Sequence, residues 1–255
     1  MTAVVGVLCC DGVVIGTDSS ATFTQGSQRT IEQPTEKLRI VGDSMIVAGA
    51  GQVGLGQRFN RIANNAYNSS LLSGSDHIEF AKALSRMAIE DFSHTYLKPG
   101  LYGSLIGFHM GGRPRLCEFA VSDFQPEFKD EGIWYVSMGS GQPITDPFLA
   151  LMRNIFWSDG LPTIQDATFA VTWALEHAIE VNPGGINGPI RVAVLERRKE
   201  VGHSYVARIL ENSELQEHKE QIRTMEALLR RYAASQKSSD DAPNIPRLQT
   251  DQPQS

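Results

Sequence analysis

The chain has only three cysteines, Cys9, Cys10 and Cys117, in 255 residues. That is too few for a disulfide framework, and Cys9 and Cys10, as neighbours on a strand, would point to opposite faces. A reducing, cytoplasmic setting is expected. The six histidines, at positions 77, 94, 109, 177, 203 and 218, form no His-x-x-x-His pair and share no cysteine spacing typical of zinc. No metal and no cofactor are expected. Basic residues number 23 against 29 acidic ones, a net charge of -6. This leaves no positive footprint for a nucleic acid or an anionic lipid surface. No apolar run approaches the roughly 18 residues that cross a bilayer. Met1 to Cys10 also lacks the charged n-region of a signal peptide before Asp11 interrupts it. Neither a membrane segment nor a signal peptide is expected.

What is present is a chain with 41% hydrophobic residues, enough to fill one large core or two small ones. Val4, Val5, Val7 and Leu8 lead to the turn signal Asp11-Gly12, and Val13, Val14 and Ile15 follow, which predicts a hairpin at the very start. A second pair runs from Leu38, Ile40 and Val41 through Gly42-Asp43 to Met45, Ile46 and Val47. Gln25 to Gln33, between the pairs, reads as polar loop. Helical spacing takes over at Phe59, Ile62, Ala63 and Tyr67. It returns at Ile78, Ala81, Leu84, Met87 and Ala88, after a cap at Ser75 or Asp76. Strands are predicted again at Leu101 to Met110 and Leu116 to Val121, around a Gly111-Gly112 turn, and at Ile133 to Met138. Two further helices follow, one from Gly141 through Phe148 and Leu151 to Phe156, the other capped by Thr163 with Asp166 at N3. Ile190 to Leu195 and Tyr205 to Ile209 close the series as strands.

Runs of antiparallel strands alternating with pairs of helices suggest an α+β fold of four layers, αββα. Ser213-x-x-Gln216 reads as a capping box opening one more helix, in which Leu215, Ile222, Met225, Leu229 and Tyr232 keep near-heptad spacing. Such a helix can lie on its own domain or contact another subunit. The stretch after Gln236 is rich in Ser, Asp, Pro and Gln and is expected to be a disordered tail.

Position two carries the sharpest chemical hint. Removal of Met1, which is usual before a small residue, would leave the Thr2 hydroxyl and a free α-amine on one residue. A threonine hydroxyl is a weak nucleophile until something accepts its proton, and an α-amine with a pKa of about 7.7 to 8 is poised to do so. By position alone, Thr2 is an ordinary N-terminal residue.

Its surroundings change that. Thr2-Ala3-Val4-Val5-Gly6-Val7, Asp11 through Gly16-Thr17-Asp18, and then Ala21-Thr22 resemble the opening of proteasome β-type subunits and of the bacterial protease HslV. Glu36-Lys37-Leu38-Arg39-Ile40-Val41-Gly42-Asp43, leading to Ala48-Gly49-Ala50-Gly51, is similar to the family's lysine strand and oxyanion turn. The loop before Lys37 is a few residues longer than usual. Gly139-Ser140-Gly141 resembles the later family serine. Within the family, the gapless start, the length and the additional C-terminal helix look most like the β-proteobacterial proteasome homologue (BPH), with HslV and Anbu as neighbours.

The resemblance implies the four-layer sandwich of N-terminal nucleophile hydrolases over residues 2–210, a C-terminal helix extension over 211–236, and the tail over 237–255. It makes Thr2 the nucleophile, Lys37 the cation that lowers its effective pKa, and Asp18 the carboxylate that orients Lys37. Asp18 and Lys37 could also be a purely structural ion pair. Gly49 would donate its backbone N–H to the oxyanion. Ser140 would orient the terminal amine, or cap the helix that follows, or both. An extended peptide would add as a strand near Thr22 on one side and Gly49 to Gly51 on the other. Val47 would form the floor of the first specificity pocket and Gly51 a wall, with apolar residues preferred before the scissile bond.

The family's Asp-x-x-Ser-Gly-Gly element has no counterpart here, since Val181 to Ile190 reads VNPGGINGPI. Backbone carbonyls, Asn182 or Asn187 stand in its place, and loss of a negative charge there would lower the amine's pKa and weaken catalysis. The function implied is a threonine endopeptidase. It would be housed in stacked homomeric rings of seven subunits, a 14-mer, with six-membered rings, a 12-mer, as the alternative. It would take peptide or unfolded protein as substrate and could work with an AAA+ unfoldase. Two other readings keep the fold: a ring protein with little or no peptidase activity, and an amidohydrolase acting on small amides.

Overall fold

The computed structural model describes residues 1–25, 28–69, 71, 74, 76–95, 100–157, 160–182, 185–197 and 204–236. Its first hairpin, β1 (Val4–Leu8) and β2 (Gly12–Thr17), is buried along its whole length. Such strands must be covered on both faces, and their near-continuous apolar sequence is the consequence. They form the centre of a five-stranded antiparallel sheet, completed by β10 (Tyr135–Met138) beside β1, and by β11 (Arg191–Arg197) and β12 (Tyr205–Ile209) beyond β2.

The second sheet runs in simple sequence order. It comprises β5 (Leu38–Val41), β6 (Met45–Gly51), β7 (Tyr102–Met110), β8 (Arg113–Phe119) and β9 (Pro126–Phe128), all antiparallel. The sheets pack face to face, β1 and β2 lying against β6 and β8. Helices α1 (Val53–Asn68) and α2 (His77–Ser93) cover the second sheet; α3 (Gln142–Phe156) and α4 (Ile164–Val181) cover the first. This is the four-layer αββα sandwich. One apolar core fills the space between the sheets and under α3 and α4, with Val5, Ile15, Leu105, Val171 and Leu175 at its heart. A second lies between α1, α2 and the other sheet, around Phe59, Phe80, Phe108 and Phe119.

The helix starts follow local chemistry. Asp76 caps α2 by accepting from the amides of Ile78 and Glu79, and Thr163 and Asp166 form a reciprocal capping box on α4. The C-terminal helix α5 (Asn212–Ser235) begins two residues before the expected box. Glu211 and Glu214 make the reciprocal bonds instead of Ser213 and Gln216. Its first half rests on α4, with Leu215 and Ile222 buried and Lys219 bonded to Glu176 at 2.7 Å. Further along, Leu228, Leu229 and Tyr232 are exposed.

One expected loop is a hairpin. β3 (Ser20–Gln25) pairs with β4 (Gln28–Pro34) in a two-stranded unit outside both sheets, with a bulge between Phe23 and Thr24. Its strands, SATFTQ and QRTIEQP, are mostly polar and show no apolar alternation, so the segment reads as loop. The stretch 237–255, where a tail was expected, lies outside the described residues. No helix among the described residues is long and apolar enough to cross a membrane.

Candidate active site

The edges of both sheets and the β3–β4 hairpin meet at the chain's N-terminus. Thr2 lies two residues before the start of β1, and β2 ends at Thr17, one residue before Asp18. Because Val4 pairs with Thr17, Ala3 and Asp18 come face to face. Asp18 N donates to the Ala3 carbonyl at 3.1 Å, and Ala3 N donates to Asp18 Oδ1 at 2.9 Å. The carboxylate is fully buried. Its other partners are the Ser20 amide, at 3.2 Å on Oδ2, and the Lys37 ammonium, at 2.7 Å on Oδ1. A buried charge held by three donors is compensated rather than strained.

Lys37 enters from the residue preceding β5, with a side chain only 8% exposed. Burial pushes its pKa below the usual lysine value, against the opposing pull of Asp18 and, further off, Glu32. Its Nζ also donates to the Met1 carbonyl at 3.2 Å, and Thr2 Oγ1 donates to the same oxygen at 2.8 Å. The hydroxyl and the ammonium thus converge on one atom. The Met1 ammonium reaches the Thr22 hydroxyl at 3.1 Å.

From the far side, Ser140 Oγ accepts the Thr2 N–H at 2.9 Å, and the Gly141 amide donates to the Thr2 carbonyl at 3.0 Å. Gly139 makes this approach possible. It turns at φ +87°, and a Cβ there would stand 2.4 Å from the Thr2 carbonyl oxygen. Thr2, Asp18, Lys37 and Ser140, separated by up to 138 residues along the chain, therefore form one cluster.

The remaining expected residues divide. Thr22, Gly49 and Gly51 line a cleft of about 780 Å³ that opens beside Thr2. Val47 does not line it: its side chain is buried in the core beneath α1. The reason is register. Gly49 N donates to the Lys37 carbonyl at 3.1 Å, so the strand reaches the cleft only at Gly49, and Val47 lies two residues deeper. That same bond engages the amide of Gly49 within the sheet rather than directing it at a substrate. The next amide on that edge of β6 belongs to Gly51, three positions beyond Ala48, the partner of the first residue of β5. Gly51 turns at φ +121°, and any Cβ would strike the Leu101 carbonyl oxygen at 2.2 Å.

Where the family's aspartate and serine are missing, Asn182 Nδ2 faces the Met1 sulfur at 3.9 Å. The Asn187 carbonyl accepts from Ser19 N at 3.0 Å, and its side-chain amide donates to the Glu32 carboxylate. A carboxylate therefore does reach this region, delivered from β4. Pro183 and Gly184 lie outside the described residues. The cleft also contains residues that no motif announced, among them Gln52, Asn60, Leu101 and Tyr102. They come from α1 and from the strand after it, brought in by packing alone.

A family model described as "Proteasome subunit" matches residues 2–180. No curated protein matches the chain. Among solved structures, an Anbu (Gly-1) mutant from Hyphomicrobium sp. strain MC1 is similar in fold, with a TM-score of 0.71 at 14% identity over 92% of this chain and 97% of that one. The match over most of the chain and the shared sandwich agree: the chain belongs to the proteasome family, whose members are N-terminal nucleophile hydrolases.

Proposed function

We propose that the chain is a threonine-type endopeptidase subunit of a self-assembling, proteasome-like double ring. The observation that carries this is the convergence of Lys37 Nζ and Thr2 Oγ1 on the Met1 carbonyl oxygen, with Asp18 behind Lys37. Once Met1 is removed, the Thr2 nitrogen becomes an α-amine that keeps its hydrogen bond to Ser140.

Thr2 Oγ1 then attacks the carbonyl carbon of a peptide bound along the cleft, its proton passing to the α-amine with the Lys37 charge lowering the cost. The tetrahedral oxyanion takes a hydrogen bond from the Gly51 amide, since that of Gly49 is engaged by Lys37. Collapse breaks the C–N bond, the α-amine returns the proton to the leaving amine, and a threonyl ester remains. Water, activated by the same amine, hydrolyses the ester and restores Thr2. The substrate strand lies between the hairpin at Thr22 and the end of β6. Enclosure in rings of seven, or six, subunits keeps such a site from the rest of the cytoplasm. An AAA+ unfoldase would feed it.

A ring protein with little activity is the second reading, favoured by the absence of the family's Asp and Ser from the stretch Val181 to Ile190. Intact mass before and after a peptide epoxyketone, which captures the hydroxyl and the amine of one terminal threonine, separates the two. Loss of Met1 with one adduct per chain supports the peptidase; retained Met1, or a free Thr2 that never reacts, supports the inactive ring.

A further inference from the structure

Strand β6 reaches the cleft at two glycines, Gly49 and Gly51, neither of which contributes a side chain. The space is filled from the neighbouring strand. A Cβ on Gly49 would lie 2.2 Å from the Tyr102 hydroxyl oxygen and 2.6 Å from its ring atoms Cε2 and Cζ. The same ring edge passes 3.2 Å from where a Cβ on Gly56 of α1 would stand. Tyr102 is 5% exposed and lines the cleft. It is braced by Phe59, Phe92 and Phe124, with ring centroids at 6.0, 6.4 and 6.1 Å. A ring so held does not swing aside to admit a large group.

Position is set by the same register that displaced Val47. Gly49 is bonded to the residue whose ammonium serves Thr2, so the phenol beneath Gly49 lies under the part of the cleft nearest the reacting carbon. Directly below the strand backbone there is no depth left. The rim's charges already hold one another: Glu36 bonds both Arg39 at 3.4 Å and Arg191 at 2.7 Å. A charged substrate side chain would have to compete with these partners.

The geometry points to Tyr102 as the specificity-determining residue: it forms the floor of the pocket for the side chain preceding the scissile bond and restricts that side chain to short, uncharged ones. This rests on the peptidase reading above.

The test is a set of peptide epoxyketones that differ only in that side chain (Ala, Val, Leu, Phe, Trp, Lys, Glu), with the rate of adduct formation read by intact mass. With the unmodified sequence, the Ala and Val probes are expected to react at least about tenfold faster than Phe, Trp, Lys or Glu, the scale on which a pocket discriminates by a few heavy atoms. In Tyr102→Leu, which opens the floor while keeping an apolar core residue, the Phe-to-Ala rate ratio is expected to rise about tenfold. A protein that reacts fastest with bulky or charged probes overturns the proposal, as does a Tyr102→Leu ratio within twofold of the original. Should Tyr102→Leu not fold, the probe series on the unmodified sequence decides. Reaction with no probe at all overturns the peptidase reading and this pocket with it, whereas reaction without selectivity overturns the pocket alone.

Discussion

Replacing Asp18 with alanine tests the electrostatic core of the site. The carboxylate is fully buried and holds the Lys37 ammonium at 2.7 Å, with the amides of Ala3 and Ser20 as its other partners. Removing one member of a buried ion pair costs about 3–5 kcal/mol, because the remaining charge is left without compensation. Lys37 has an escape, which is to lose its proton. For a lysine of ordinary pKa, about 10.4, deprotonation costs about 4.6 kcal/mol at pH 7 and about 1.9 kcal/mol at pH 9, at 1.36 kcal/mol per unit. The lysine's share of the penalty cannot exceed that ceiling. The two orphaned amides add a cost that does not vary with pH, about 1–3 kcal/mol each where water cannot reach them. Asp18→Ala is therefore expected to be destabilised at pH 7 and to recover up to about 2.7 kcal/mol by pH 9 relative to the original protein. Urea unfolding at both pH values, with protein concentration fixed, measures this. Lys37→Met in the Asp18→Ala background should abolish the recovery while leaving the amide cost. A penalty that stays flat between pH 7 and 9, or a double variant with the same pH slope as the single one, would refute the reasoning.

Other expectations follow from single contacts. Gly139→Ala forces a Cβ to within 2.4 Å of the Thr2 carbonyl oxygen at a φ of +87°; loss of epoxyketone labelling by at least about tenfold is expected, with stability reduced by about 1–3 kcal/mol. Burial lowers the Lys37 pKa, so its folded form carries a penalty below that pKa which is relieved as pH rises toward the unfolded value. The rate of labelling, which depends on the Lys37 charge, should fall as pH rises through a Lys37 pKa below 10.5, and Lys37→Arg, which keeps its charge, should remove any part of that fall owed to Lys37. Ile222→Ala should cost about 2–4 kcal/mol by opening the buried contact of α5, whereas Lys219→Ala should cost less than about 1 kcal/mol, since its ion pair is partly exposed. Denaturant unfolding of the two variants side by side tests whether packing or charge anchors that helix.

Much of this protein is written locally. The apolar runs of β1, β2, β6 and β7, the Asp11-Gly12 and Gly111-Gly112 turns, and the caps at Asp76 and Thr163 depend on residues a few positions apart, so periodicity and turn chemistry suffice to read them. The layer order follows, because strands buried on both faces need a helix on one side and a sheet on the other. The Thr2, Asp18 and Lys37 spacing was legible too, through its resemblance to a family. Packing settled what local pattern could not. The β3–β4 hairpin has a mostly polar sequence, SATFTQ and QRTIEQP, so no alternation marked it. Gly49 was expected to face the oxyanion and Val47 to floor a pocket, yet the register of β6 against Lys37 engages the first and buries the second. That register follows from how two strands and a helix fit together, and a shift of two residues leaves no trace in composition. Tyr102 is the clearest case: in the sequence it opens an ordinary strand, and only the approach of β7 and α1 to two glycines of β6 puts its phenol under the cleft.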